Sequence, residues 1–352
     1  MPTSLLDDLR RLTPSIRTLA PRIEQDGTVP EPLLDQLRTL GVFRLTAPAD
    51  CGGLEADPGT LVRVFEELGY ADGSTGWCAM IGGATGMALG HLPPATARSM
   101  LDDPAFLIAG VAAPAGRATA AEGGFRVTGR WAFGSACRHA TWLVGGAIAD
   151  GRPRLFVMEA GQLTIHDTWH VAGLRGTGSH DFSADDVFVP AERAFSLAEP
   201  PTQPGPLYTF PPLSLLALGI GAVALGIARA AIEEFGELAR TKPAGRSSVR
   251  VSVAEATALH ASGLAYLLSE AGGVPPSSTT LRLAISTAAR NAARAVDLLY
   301  HAAGGTAVYE SSPLQRHFRD VHTATQHAMV SAEVTELIGA DLLGEEVKKF
   351  RL

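Results

Sequence analysis

The stretch GGFRVTGRWAFGSACRHATW, Gly123 to Trp142, decides how the middle of the chain folds. Phe125 and Val127, then Trp131 and Phe133, alternate with Arg126, Thr128 and Arg130. That is the two-residue period of a strand, with one face apolar and the other polar, and not the period of a helix. Strand-like pieces continue through Trp142 to Val144, Leu155 to Met158, Leu163 to Ile165 and Asp186 to Val189, with Gly123-Gly124 and Asp150-Gly151 as turns between them. Residues 111–199 are therefore expected to form a central antiparallel β-barrel or sandwich.

On either side the period is helical. In residues 1–110, Leu33, Leu34, Leu37 and Leu40 recur at helical spacing and Gly41 follows as a C-terminal cap. Leu61, Val62, Phe65 and Leu68 repeat the pattern before Gly69, and APADCGGLEAD (Ala47 to Asp57) reads as a loop. The first helix carries Asp7, Asp8, Arg10 and Arg11 among its leucines, which leaves no uninterrupted apolar segment of the kind a secretion signal needs. Residues 200–212 hold six prolines and no charge, a linker. Residues 213–352 return to helix. Leu213 to Ala228 is uncharged but shorter than the ~20 residues of a membrane span, and its glycines and alanines suit a tightly packed buried helix. Leu281, Leu283, Ala284, Ala288, Ala292, Val296 and Leu299 mark a long helix, and Ser312-Pro313 marks the start of another.

The bulk numbers exclude several functions. A chain of 352 residues is large enough for two or three structural units. Its net charge of −7 supplies no basic field for a phosphate backbone, so nucleic acid is not an expected partner. Charged residues are 18%, against roughly 25% in an average soluble chain, which fits a protein that hides surface in an oligomer. Cys51, Cys78 and Cys137 form neither a disulfide framework nor a zinc motif, and a reducing, cytoplasmic location follows. His166 and His170 fall in strand-like sequence, and His317, His322 and His327 spread around a helix, so no metal is expected.

Four motifs within this order resemble the acyl-CoA dehydrogenase superfamily: PADCGG near the start, GRWAFGSACRHATW (Gly129 to Trp142), HVAGLRGTGSHDFSADDVFVP (His170 to Pro190) and AAGGTAVYESSPLQRHFRD (Ala302 to Asp320). The resemblance implies an N-terminal helical domain, a central β-barrel and a C-terminal four-helix bundle assembled as a homotetramer. Flavin would lie between the β-domain and the bundle, with a neighbouring subunit's help. It implies that Trp131, Phe133 and Ser135 face the flavin ring, that Arg240 in LARTKPAG anchors flavin phosphates of an adjacent subunit, and that Gly304 and Gly305 let backbone approach the cofactor. Each has a plainer reading: Trp131 and Phe133 as core, Arg240 as a helix-end arginine, the glycines as a helix-ending loop.

One departure changes the chemistry. Where dehydrogenases of this superfamily carry a catalytic Glu after the Arg-Asp pair, RDVHTATQHAMV (Arg319 to Val330) holds no Glu and places His327 there. In this the chain resembles the two-component hydroxylases of the same fold. Their flavin, FAD or FMN, arrives already reduced from a separate reductase and reacts with O2 through a C4a-hydroperoxyflavin to hydroxylate a small aromatic or heteroaromatic substrate. Ser135 is then the candidate hydrogen-bonding group near flavin N5. His327 is the group that takes the substrate's proton or poises the peroxide, and His91 is a substrate contact. If residues 314–332 were one straight helix, Arg316, Thr323 and His327 would share a polar side. Ala136 stands where the superfamily has Gly, and the stretch near 270–280 is short; both bear on how well flavin is held. Two other activities stay open: a dehydrogenase or oxidase using Glu310 or Glu333 as base, and a scaffold of this fold without flavin.

Overall fold

The computed structural model describes residues 2–203, 205–241, 247–273 and 277–347. Pro204 of the expected linker, residues 242–246 after Arg240, and residues 274–276 of the expected short loop lie outside the described residues.

Five helices precede the first strand: α1 (Pro2–Asp26), α2 (Glu31–Thr39), α3 (Pro58–Ala71), α4 (Gly73–Thr85) and α5 (Pro94–Leu101). After α2, Gly41 adopts φ 77°, the left-handed conformation that the sequence pattern assigned to it. Asp57 and Asp72 open α3 and α4. Their carboxylates accept from the backbone N–H of Thr60 and Thr75, donors that have no partner inside the helix.

Seven strands follow: β1 (Ile108–Ala121), β2 (Gly124–Gly134), β3 (Trp142–Ala149), β4 (Arg152–Glu159), β5 (Thr164–His166), β6 (His180–Pro190) and β7 (Ala194–Phe195). They form one sheet in the order β5-β6-β2-β1-β3-β4-β7. The expectation of a wholly antiparallel β-domain is corrected at one pair, because β1 and β3 run parallel. β1 and β2 are a hairpin, and the chain leaving β2 passes to the other edge of β1 before it resumes as β3. The sheet curls on itself, so that Phe125 on β2 meets Phe156 on β4 edge to face with ring centres 5.4 Å apart. Trp131, Phe156 and Phe182 fill the hollow, each 0% exposed. Burial of each ring contributes roughly 2–3 kcal/mol.

The C-terminal part is α6 (Pro212–Thr241), α7 (Ser247–Ala271), α8 (Ser278–Ala303), α9 (Pro313–Ala324) and α10 (Ala332–Leu342). The uncharged half of α6 is buried against α3 and α8, as its small residues predicted. Glycine makes the crossing possible: a Cβ at Gly226 would stand 2.2 Å from the Glu66 carbonyl oxygen. Next to it, the Arg229 guanidinium lies 2.9 Å from Glu66 and 3.1 Å from Glu67, and covers the Tyr70 ring at 3.7 Å. N-terminal helices, sheet and C-terminal helices thus share one core, and the loops between β2 and β3 and between β5 and β6 are pressed against α4 and α9.

Candidate active site

The site starts where strand alternation fails. The β2–β6 ladder shifts register between Trp131 and Gly134, and Phe133 sits at φ 65°. Simple alternation puts Trp131 and Phe133 on one face; the bulge turns them apart. Trp131 goes inward, stacks on Phe182 at 5.2 Å and donates its Nε1–H to the Gly146 carbonyl at 2.7 Å. Fully buried, it offers no face to a cofactor, and the sequence expectation for it is corrected. Phe133 turns outward, 72% exposed, with Trp169 edge-on at 6.4 Å.

Two residues on, Ser135 is 7% exposed. Its Oγ accepts from Trp77 Nε1 at 3.0 Å and lies 2.7 Å from Ser179 Oγ. Ser179 Oγ lies 2.6 Å from Thr177 Oγ1, which in turn donates to the Leu174 carbonyl at 2.7 Å. A hydroxyl has one proton, so the direction of the whole chain is fixed from its carbonyl end. Thr177 spends its proton on Leu174, Ser179 must donate to Thr177, and Ser135 must donate to Ser179. Ser135 is left with a lone pair and no free proton. Toward any further group it can therefore act only as an acceptor, a finer result than the sequence gives.

Ala136 follows at φ 58°, 1% exposed, its N–H donated to the Thr177 carbonyl at 2.9 Å. This is the left-handed region, where a Cβ costs ~1–2 kcal/mol, so the superfamily's glycine has a physical reason and alanine here carries strain. Ala136→Gly is expected to raise unfolding free energy by about 1 kcal/mol, as measured by urea denaturation; a loss would mean that the methyl packs better than the backbone is strained.

His327 reaches the site from a break in the helix. α9 stops at Ala324, and His327 caps a 3-10 turn, Ala328–Val330, before α10 begins at Ala332. The single helix over 314–332 is therefore corrected, and with it the polar side shared by Arg316, Thr323 and His327. The imidazole ring centre is 5.8 Å from that of Trp77. Its Nδ1 accepts from Met329 N–H at 3.2 Å, which places the proton of the neutral ring on Nε2. Burial first, and the Arg282 charge second, push its pKa down to about 4. At neutral pH His327 is thus an uncharged N–H donor.

The loop carrying this hydroxyl chain is pinned by the Arg-Asp pair. Leu174, at φ 50°, donates its N–H to Asp320 Oδ1 at 2.6 Å. Arg319 donates to the Ala172 carbonyl and pairs with Glu24. Burial and the neighbouring Asp72 push the Asp320 pKa up to about 7. Trp77 was not singled out from the sequence, although a Trp within the small-residue run GSTGWCAM needs a partner for its N–H when buried. Thr177 and Ser179 lay inside a quoted motif with no role assigned.

The other expected residues stand apart. His91 is 9% exposed, stacks on Phe195 at 5.1 Å and lines a cavity of about 380 Å³ with Met87, Leu197, Tyr208 and Pro211; Ser135, Trp77 and His327 are not in its wall. Arg240 is exposed at the end of α6 and pairs with Glu237. Gly304, at φ 62°, and Gly305 open onto empty space after α8, so no described atom of this chain needs them to be glycine for want of room. Cys137 is buried and its thiol is pushed up to about 11, mainly by that burial, which leaves it unreactive.

An exposed aromatic ring two residues from a buried hydroxyl acceptor, with an indole between that hydroxyl and a neutral imidazole, fits a flat aromatic group whose edge carries N–H and carbonyl functions. A flavin ring has that description. Comparison with known proteins agrees. Residues 6–92 match the acyl-CoA dehydrogenase N-terminal domain and residues 218–332 the acyl-CoA dehydrogenase C-terminal domain. The chain is 32% identical to the indole-3-acetate monooxygenase of Acinetobacter baumannii, covering 89% of this chain and 87% of that one. It is 33% identical to the flavin-dependent monooxygenase oxygenase subunit HsaA of Rhodococcus jostii, over 91% and 93%. Among solved structures, XiaF from Streptomyces sp. in complex with FADH2 and glycerol superposes with a TM-score of 0.85 at 27% identity, over 98% of this chain and 96% of that one.

Proposed function

The chain belongs to the acyl-CoA dehydrogenase family, and we propose that it is the oxygenase component of a two-component flavin-dependent monooxygenase acting on a small aromatic or heteroaromatic substrate. The observation that carries this reading is the direction of the hydroxyl chain. Ser135 offers a lone pair, and reduced flavin bears a hydrogen at N5 where oxidised flavin bears a lone pair; the residues favour the reduced form. Phe133 would cover one face of the ring, and Ser135 would hold its N5 edge. When bound, reduced flavin supplies the electrons that activate O2. The chain's own residues do the rest: Trp77 fixes Ser135, Thr177 and Ser179 fix its proton, and His327 Nε2–H donates to negative charge developing on oxygen.

The same site disfavours a dehydrogenase. Glu310 and Glu333, its candidate bases, are both exposed, and the position after the Arg-Asp pair holds an uncharged donor. Incubation with a flavin reductase, NADH, flavin and labelled oxygen gas tests the assignment. One labelled oxygen atom should enter the aromatic product; oxidation of an acyl-CoA without oxygen incorporation would refute it.

The assembly read from the family is supported by α7. Both α6 and α7 are long and apolar enough to cross a membrane, but α6 is 83% buried over its most apolar window and α7 only 17%. An apolar helix left this open, with Val251 51% exposed, is suited to cover by further copies of the chain. Sedimentation equilibrium should return a tetramer of the chain.

A further inference from the structure

α8 carries two buried polar side chains with atoms that no described residue satisfies. Arg282 is 2% exposed and Ser286 1% exposed, and among the described residues Arg282 Nε and Nη1 and Ser286 Oγ have no hydrogen-bond partner. Four residues apart on a helix, they lie on one face. Among the described residues no carboxylate pairs with this guanidinium. Burial alone pushes its pKa down to about 10, so it remains charged at neutral pH. An isolated buried cation is strongly unfavourable, and a leucine or methionine would serve the core better. Such a group persists where an anion from outside the chain completes it.

Its place indicates which anion. Ser135 and Phe133 stand at the end of β2; Trp77 links Ser135 to His327; Arg282 is the charge that bears on His327, and α8 packs against the turn that His327 caps. Contacts thus run from Ser135 through Trp77 to His327, and the helix that carries Arg282 packs on the turn of that histidine. We propose that Arg282 and Ser286 form the anion-binding end of the substrate cavity, and that the substrate is an aromatic or heteroaromatic molecule bearing a carboxylate or an ionised phenol. The planar guanidinium offers two parallel N–H donors to a carboxylate, with the Ser286 hydroxyl as a third. The inference rests on the monooxygenase reading for the identity of the cavity.

Phenylacetate and phenylacetamide, alike in shape and unlike in charge, are the probes. Their affinities are measured anaerobically on protein loaded with reduced flavin, and by thermal shift on protein alone. The wild type should bind phenylacetate at least about tenfold more tightly than the amide, the difference expected of a charged hydrogen bond. Arg282→Gln and Arg282→Met should bring the two ligands level, Arg282→Lys should retain part of the preference, and reduced-flavin affinity should stay within about twofold in all three. Without ligand, Arg282→Met should melt higher than the wild type, because the unpaired charge is gone. Equal binding of the two probes by the wild type overturns the proposal. So does a loss of reduced-flavin binding in Arg282→Gln with the carboxylate preference intact, which would assign the guanidinium to the cofactor. Failure of the wild type to bind reduced flavin refutes the monooxygenase reading instead, and the thermal-shift preference still decides the role of Arg282.

Discussion

His327→Ala is expected to lower oxygen transfer to substrate by on the order of 100-fold or more, with hydrogen peroxide released in place of product, while reduced flavin still binds. The magnitude is that of removing one preorganised donor from a site where charge develops on oxygen. The distinguishing variant is His327→Asn. Asparagine can accept from Met329 N–H as Nδ1 does and still offer an N–H donor, so it should recover a substantial part of the lost activity. A general base could not be replaced in this way. The pH profile separates the roles again: with its pKa pushed down to about 4 by burial and Arg282, His327 stays uncharged and adds no step between pH 5.5 and 8. Coupled turnover in the Asn variant as low as in the Ala variant, with a wild-type rate that falls below pH 7, would return His327 to the role of base.

Asp320→Asn should stabilise the protein, and increasingly so as pH rises. Asp320 is 4% exposed, and burial and Asp72 raise its pKa to about 7. An unfolded chain releases that proton at about pH 4, whereas the folded chain keeps it to about 7. Stability of the wild type is therefore undiminished by this group below pH 4 and falls as pH climbs from 4 to 7. Asparagine removes the loss and keeps an acceptor for Leu174 N–H. The gain over wild type should be small at pH 4 and reach on the order of 3–4 kcal/mol above pH 7, read from denaturant melts across that range. A gain that is flat with pH would mean that Asp320 is ionised in the folded protein. The same carboxyl holds the loop that carries Thr177 and Ser179, so the Arg-Asp pair acts on the site by positioning.

Much of this was legible in the residues. Alternation around Phe125 and Val127 gave strands, leucine spacing and Gly41 gave helices with their ends, and the apolar run in α6 gave a buried crossing. These features are local, and a periodic pattern states them directly. What stayed hidden depends on backbone turns and on long-range meetings. The positive φ of Phe133 reverses an alternation that the sequence shows as regular. The end of α9 at Ala324 converts a helical histidine into a cap with a defined tautomer, although no glycine or proline announces the break. Trp77 lies 58 residues from the serine it binds, a pairing that no motif spacing encodes. The parallel pairing of β1 with β3 was hidden for the same reason: strands are seen in the sequence one at a time, their neighbours only in the fold.

The most direct test of the whole account is anaerobic titration of the protein with reduced and oxidised FMN and FAD, followed by quenching of Trp77 fluorescence with Trp77→Phe as reference. Because Thr177 and Ser179 leave Ser135 as an acceptor, reduced flavin should bind at least about tenfold more tightly than oxidised flavin. Ser179→Ala, which frees the Ser135 proton, should largely abolish that difference. Equal affinity for the two redox states, or discrimination untouched by Ser179→Ala, would contradict the assignment of this row of hydroxyls to flavin.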